Sequence, residues 1–455
     1  MPLLSPAARP AELARPGQEA RRDVRRWLPA AGFLASAVFA ALVALLSDEP
    51  VHRLWGGWAA AGYGLAALAA CWPGWPAVSP AAAEAQRARA RAAAVAVALA
   101  GAVLVPLGML AAAGRGMPEV GVTERAAALL LQHGSPYLPA ARLAGHGFLA
   151  YNPYLPAMTV FGLPHAVFGP GLLTDPRLCA GLAFAAASLA AFRVAGLPGR
   201  ASASATAVLA ATPVIAFPLV VSGNDVPVLG LAMLGLALAG VRSGRGAVAA
   251  GAVLGLAAAM KATAWPALAV AGALLASQAG WPEARRTVAR FAAAATAVFA
   301  AALAPWLVTA PGALLRNTVL FPLGLTGTPS PAASPLPGHL LTAAGPAGHV
   351  IALAALTAAA LVPAAFLMLR PPRTGAAAVR RLAGWLALLF ALAPDSRWGY
   401  FCYPAGLAAW LWLRGGLRRP AARSGQRGQQ VADGLAAAGV EGDLHPGVPA
   451  GLRRA

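Results

Sequence analysis

The sequence predicts an all-α polytopic membrane protein with about twelve transmembrane helices. Its 455 residues are 59% hydrophobic and only 11% charged, a balance that excludes an ordinary soluble domain. Apolar runs of about 17–22 residues recur along the chain, each long enough to cross a bilayer as a helix. The formal net charge is +20, but the arginines fall in short clusters between apolar runs. That is the signature of membrane topology, not the footprint of a nucleic-acid-binding face.

The first run, 27–47, is too long for a signal-peptide core and lacks a small-residue cleavage site after it, so it reads as a retained span. Further spans fall near 54–77, 92–113, 178–195, 203–222, 226–241, 246–260, 263–280, 291–309, 348–369, 382–394 and 399–414. The clusters Arg21–Arg26, Arg87–Arg91, Arg285–Arg290, Arg370–Arg381 and Arg414–Arg427 then share one side, the cytoplasmic one, with both termini. Counting 154–168 as a further span would break this arrangement. Its prolines Pro153, Pro156 and Pro164 suit a segment that dips into the interface. The expected organisation is a basic cytoplasmic tail (1–26), a leading hairpin (27–91), a membrane domain (92–414) with outer loops 114–177 and 310–347, and a disordered cytoplasmic tail (415–455). Cys71, Cys179 and Cys402 are far apart and suggest neither a metal site nor a disulfide framework.

Candidate chemistry gathers at the outer boundary. Residues 114–153 interrupt the apolar pattern with Glu119, Glu124, His133 and His146 and an aromatic–proline cluster containing Tyr137, Tyr151, Pro153 and Tyr154. Val122, Ala126, Leu129 and Leu130 recur at helical spacing, which predicts a surface-lying helix acting as a lid or a plain connector. Glu119, just before that helix, is either a general base with a tuned carboxylate or a solvated loop acid. Lys261 is the only lysine in the chain. A cation between two apolar segments marks a functional position by default, and its ammonium suits a phosphate oxygen; the bland reading is a snorkelling side chain. Asn224 and Asp225 of SGNDV are either a polar turn or further groups of the same cavity. In DSRWGYFCYP (395–404), a lone outer arginine, Arg397, needs Asp395 or an anion as partner. His339, in the proline-rich SPAASPLPGHLL (330–341), joins the substrate-binding candidates. No Walker loop, HExxH, CxxC or nucleophile elbow is present.

In their order, these strings resemble the GT-C superfamily of integral-membrane glycosyltransferases. The likeness is to glycosyltransferase family 87 in particular, the polyprenyl-phosphate-mannose-dependent mannosyltransferases of actinobacteria. It rests on EVGVTERAAALLLQHGSPYL (119–138), YNPYLP (151–156), FG…DPR (168–177), the GND string, the lysine between apolar spans and RWGYFCYP, spread over residues 92–414. Glu119 stands where the family usually has a catalytic Asp, and Thr123 where a Tyr is common. The resemblance implies transfer of a sugar, mannose in the family, from a polyprenyl-phosphate donor to an envelope glycolipid or glycan acceptor on the outer face of a bacterial plasma membrane. Glu119 would take the acceptor proton and Lys261 and Arg397 would hold the leaving phosphate, in one inverting displacement. Beyond the lipid-linked donor as co-substrate, it implies no cofactor or metal. The competing class is a multi-span transporter or flippase, which intramembrane charges and interrupted helices also fit.

Overall fold

The computed structural model describes residues 16–72, 79–143 and 147–415. Most of the 1–26 tail, His146 and the tail beyond 415 lie outside these residues. Among the described residues there is no strand, only one isolated bridge between Ala333 and Ser396. The helices are α1 (Pro16–Leu46), α2 (Pro50–Cys71), α3 (Pro80–Ala112), α4 (Pro118–His133), α5 (Pro156–Phe168), α6 (Pro176–Val194), α7 (Gly199–Ala210) and α8 (Pro213–Val221). They continue as α9 (Asp225–Ala239), α10 (Gly244–Met260), α11 (Trp265–Ala276), α12 (Trp281–Thr309), α13 (Pro346–Leu369), α14 (Gly375–Leu392) and α15 (402–415). Proline opens many of them, where its missing N–H costs nothing. Ser79, Asp175, Ser243 and Thr374 cap α3, α6, α10 and α14 through their side chains.

The described part of every apolar run assigned as a span is largely helical, but the runs are not twelve equal rods. Among the described residues, seven helices are long and apolar enough to cross a membrane: the 27–46 part of α1, then α2, α3, α6, α12, α13 and α14. Helices α7 and α8 replace the expected straight span at 203–222 with a pair bent by 68°. Helices α9 and α10 are shorter and sit in the middle of the bundle. Most of α9 is buried, and Gly251 and Gly255 let α10 run so close to α12 that a Cβ on either would strike a backbone oxygen of Phe291 or Ala295. Within segment 154–168, Pro156–Gly162 is a 3₁₀ helix and Leu163–Phe168 a short α-helix, an irregular element in keeping with its prolines.

One expectation needs correction. The Arg87–Arg91 and Arg285–Arg290 clusters lie within α3 and α12, not in linkers; alanine and arginine are strong helix formers, so these helices outrun their apolar stretches. The leading hairpin is tied to the rest of the bundle. Trp55 Nε1 donates to Ala102 O at 2.9 Å, and Tyr63 Oη donates to Ala211 O at 2.7 Å. The second bond satisfies a carbonyl freed where α7 ends.

Candidate functional site

Helix α4 begins at Pro118, so Glu119 occupies its first turn and not the loop before it. Its position is fixed from α8 and α9. Met117 N donates to Val221 O at 2.9 Å. Asn224 Nδ2 donates to Thr123 Oγ1 (3.1 Å) and to Glu119 O (3.3 Å), and Thr123 Oγ1 donates to Glu119 O (3.0 Å). The chain reaches Asn224 through Gly223, at φ +79, where a Cβ would lie 3.0 Å from Arg177 Cα. Arg177 is itself 1% exposed, forked on Asp175 at 2.9 and 2.7 Å and donating to Val220 O. These two residues are a buried brace, not outward polar groups.

The 151–154 stretch is pinned in the same way. Asn317 Oδ1 accepts from Asn152 N (2.8 Å), Asn152 Oδ1 accepts from Tyr154 N (3.1 Å), and Tyr137 Oη donates to Tyr154 O (2.8 Å). Leu155 N donates to Met260 O at 3.0 Å, meeting one of the carbonyls left open where α10 ends. Lys261 follows in extended conformation (φ −156, ψ 137), and that break turns its side chain into the site.

These elements enclose a cavity of about 310 Å³. Glu119, Tyr151, Lys261 and Arg397 all line it, so three of the charged candidates meet as the shared-site expectation requires. Asp225 stands one layer behind. Its Oδ1 lies 2.5 Å from Lys261 Nζ and accepts from Tyr403 Oη at 2.9 Å, and Thr263 Oγ1 donates in turn to Tyr403 Oη at 3.1 Å. The Lys261 ammonium also faces the Tyr400 and Tyr154 rings at 4.7 and 5.5 Å. Arg397 pairs with Glu119 Oε1, whereas the sequence suggested Asp395 or an external anion. Glu119 Oε2 is buried with no hydrogen-bond partner, an unusual state for a carboxylate oxygen.

Besides Asp225, three candidates stay outside the lining. Tyr137 and Asn224 hold backbone, and His339 Nδ1 donates to Pro394 O at 3.3 Å. The half-buried Asp395 does line the cavity. Burial raises its carboxyl to about 6, against the opposing pull of His339, His349 and a Ser330 hydrogen bond. Sequence reading missed Tyr403 and Asn317. Tyr403 follows Tyr400 by one helical turn and was legible on that spacing; a lone Asn inside 310–347 carries no such mark.

The remaining wall is apolar: Leu356, Leu386, Leu389 and Phe390 on α13 and α14 face the aromatic–proline side formed by Phe148, Tyr151, Phe321 and Pro322. The Tyr151 and Phe321 rings stack at 4.3 Å. Fold and site together define a helical membrane protein with a charged cavity between its bundle and its loop helices. No protein-family model matches the chain, and neither does any curated protein or solved structure.

Proposed function

We propose that this protein is a membrane glycosyltransferase of GT-C type, similar to family 87. It would move a sugar, mannose on that resemblance, from a polyprenyl-phosphate donor to an envelope glycolipid or glycan. The proposal includes twelve spans, counting the bent pair and the short central helices, with both termini cytoplasmic and the cavity opening outward. The observation that carries it is the state of Glu119: one oxygen on Arg397, the other buried and unpartnered at the wall of a cavity that also holds Lys261.

Both cations are neutralised in this state, Lys261 by Asp225 and Arg397 by Glu119. An arriving donor phosphate therefore exchanges with a carboxylate. Arg397 is the less buried cation, its side chain 21% exposed against 11% for Lys261, so the exchange falls there. It places phosphate on the guanidinium and releases Glu119. The acceptor oxygen then attacks the anomeric carbon, its proton passes to Glu119, and the carbon–oxygen bond to phosphate breaks with its electron pair leaving on the lipid phosphate. Arg397, with Lys261 lining the same cavity, stabilises that charge. The apolar wall of α13 and α14 suits the lipid chain.

The test is Glu119→Gln in membranes supplied with polyprenyl-phosphate mannose. Transfer is expected to be lost at normal expression; undiminished turnover would remove Glu119 from the base role. The helix break at Lys261 favours one other reading, a transporter with a discontinuous helix at its binding site. Donor-independent counterflow of a solute in vesicles would favour that reading.

A further inference from the structure

Ala333 and Ser396 form a single bridge, Ser334 N donates to Ser396 O at 3.0 Å, and Arg397 just beyond it is extended (φ −129, ψ 146), after a bend at 394–395. Asp395 and Arg397 both line the cavity, whereas Ser396 between them is fully buried. Arg397 turns to Glu119, which leaves Asp395 with no cation paired to it among the described residues. His339 and His349 stand within electrostatic range, but their ring nitrogens are bonded to Pro394 O and Leu323 O. Ser330 supplies one hydrogen bond to this carboxyl; a carboxylate without a paired cation in a mostly apolar cavity is still costly, and its remaining acceptor sites need donors from whatever fills the space beside it.

The surroundings select the kind of donor. Arg397 and Lys261 are each already neutralised by a carboxylate, so the selection comes from the rest of the lining. Hydroxyl groups bring donors without charge, and the lining adds hydroxyls of its own from Thr318 and Ser330. The Phe148, Tyr151 and Phe321 rings with Pro322 and Pro331 supply flat apolar surface, which suits the C–H faces of a sugar ring.

We propose that Asp395 anchors a second subsite of this cavity, one that binds a neutral polyol by accepting hydrogen bonds from two adjacent hydroxyls of a hexopyranose. The inference rests on the glycosyl-transfer reading for the ligand's role: the bound ring is the acceptor's terminal sugar, so the acceptor is a glycan and not a bare lipid alcohol.

The full-length protein in lipid nanodiscs tests this through reaction of Asp395 with a water-soluble carbodiimide and an amine, measured by peptide mass spectrometry, with Asp48 as internal reference. Methyl α-mannopyranoside, cyclohexylmethanol and ethylammonium are the probes. The sugar is expected to reduce labelling of Asp395 about tenfold at about ten times its Kd, without protecting Asp48, while the other two give little protection. Equal protection by cyclohexylmethanol, better protection by ethylammonium, or none by the sugar overturns the subsite. Sugar transfer by the wild type together with unprotected Asp395 refutes the subsite and leaves glycosyl transfer standing. Protection without any transfer refutes the transferase reading and keeps the polyol site.

Discussion

Replacing Asp225 by Asn tests the innermost layer of the site. Asn keeps an oxygen that accepts from Tyr403 and removes only the charge facing Lys261. The two charged atoms are 2.5 Å apart, and their side chains are 11% and 10% exposed. At an effective dielectric of about 20 their attraction is about 7 kcal/mol, most of it spent on desolvating both ions. What the variant loses is the compensation of an ammonium that stays buried, and breaking such a pair from one side costs about 3–5 kcal/mol. The Tyr400 and Tyr154 rings, at 4.7 and 5.5 Å from the ammonium, already face it in the wild type and so do not offset this loss, but they keep it at the lower end of that range. The net loss is therefore expected near 3 kcal/mol. Unfolding of the purified protein by SDS titration, followed by tryptophan fluorescence, measures it, with Lys261→Met and the double variant completing a cycle. The double variant should recover most of the loss, because it leaves no orphan charge. An Asp225→Asn protein within about 0.5 kcal/mol of wild type, the range of an inconsequential surface change, would refute the reasoning.

Two further outcomes are expected. Gly338→Ala would place a Cβ 2.3 Å from Leu392 O and 2.4 Å from Ala393 O. The strand-like pairing beneath Asp395 should shift at a cost of about 1–3 kcal/mol, read as a lower melting temperature, whereas Gly64→Ala, with nothing within 4 Å, should be neutral. The Asp395 carboxyl lies at about 6 against an ordinary 3.8, so the folded protein holds this proton more tightly than the unfolded chain does. Stability from this group is therefore gained as pH falls through about 6 and complete below 3.8, and lost as pH rises through that window. The difference in melting temperature between wild type and Asp395→Asn should change across that interval. A flat difference would place Asp395 in water.

The helical character of the fold was legible because apolar run length is a local property. The described part of every assigned span is largely helical, and the prolines of 153–164 marked a break in the pattern of long helices. The irregular features were less legible, since they follow from packing between distant residues. The bend between α7 and α8 is held from outside by Tyr63 on α2, and nothing within 203–222 announces a partner there. The shortness of α9 and α10 belongs to helices shielded by other helices, not by lipid. The continuation of α3 back to Pro80 follows from helix propensity in a polar stretch, which an apolarity scan does not see.

At the site, the sequence marked the charges but not their pairing, and the pairing decides what the charges can do. Arg397 and Asp395 are near neighbours in sequence, so a local ion pair is the natural expectation. Both line the cavity, but an extended backbone advances about 7 Å over two residues, while the first turn of α4 presents Glu119 directly to the guanidinium. Asn224 and Thr123 hold that turn in place, so two unremarkable polar residues of the sequence determine which acid Arg397 meets. The consequence is a division of labour between two carboxylates of one cavity. On the proposed glycosyl-transfer reading, Glu119, tied to the cation that a phosphate would seek, would be freed for proton transfer by an arriving anion, and Asp395, tied to no cation, would be open to hydroxyl groups from the start. A donor that carries the phosphate and an acceptor that carries the hydroxyls would then be met by different acids.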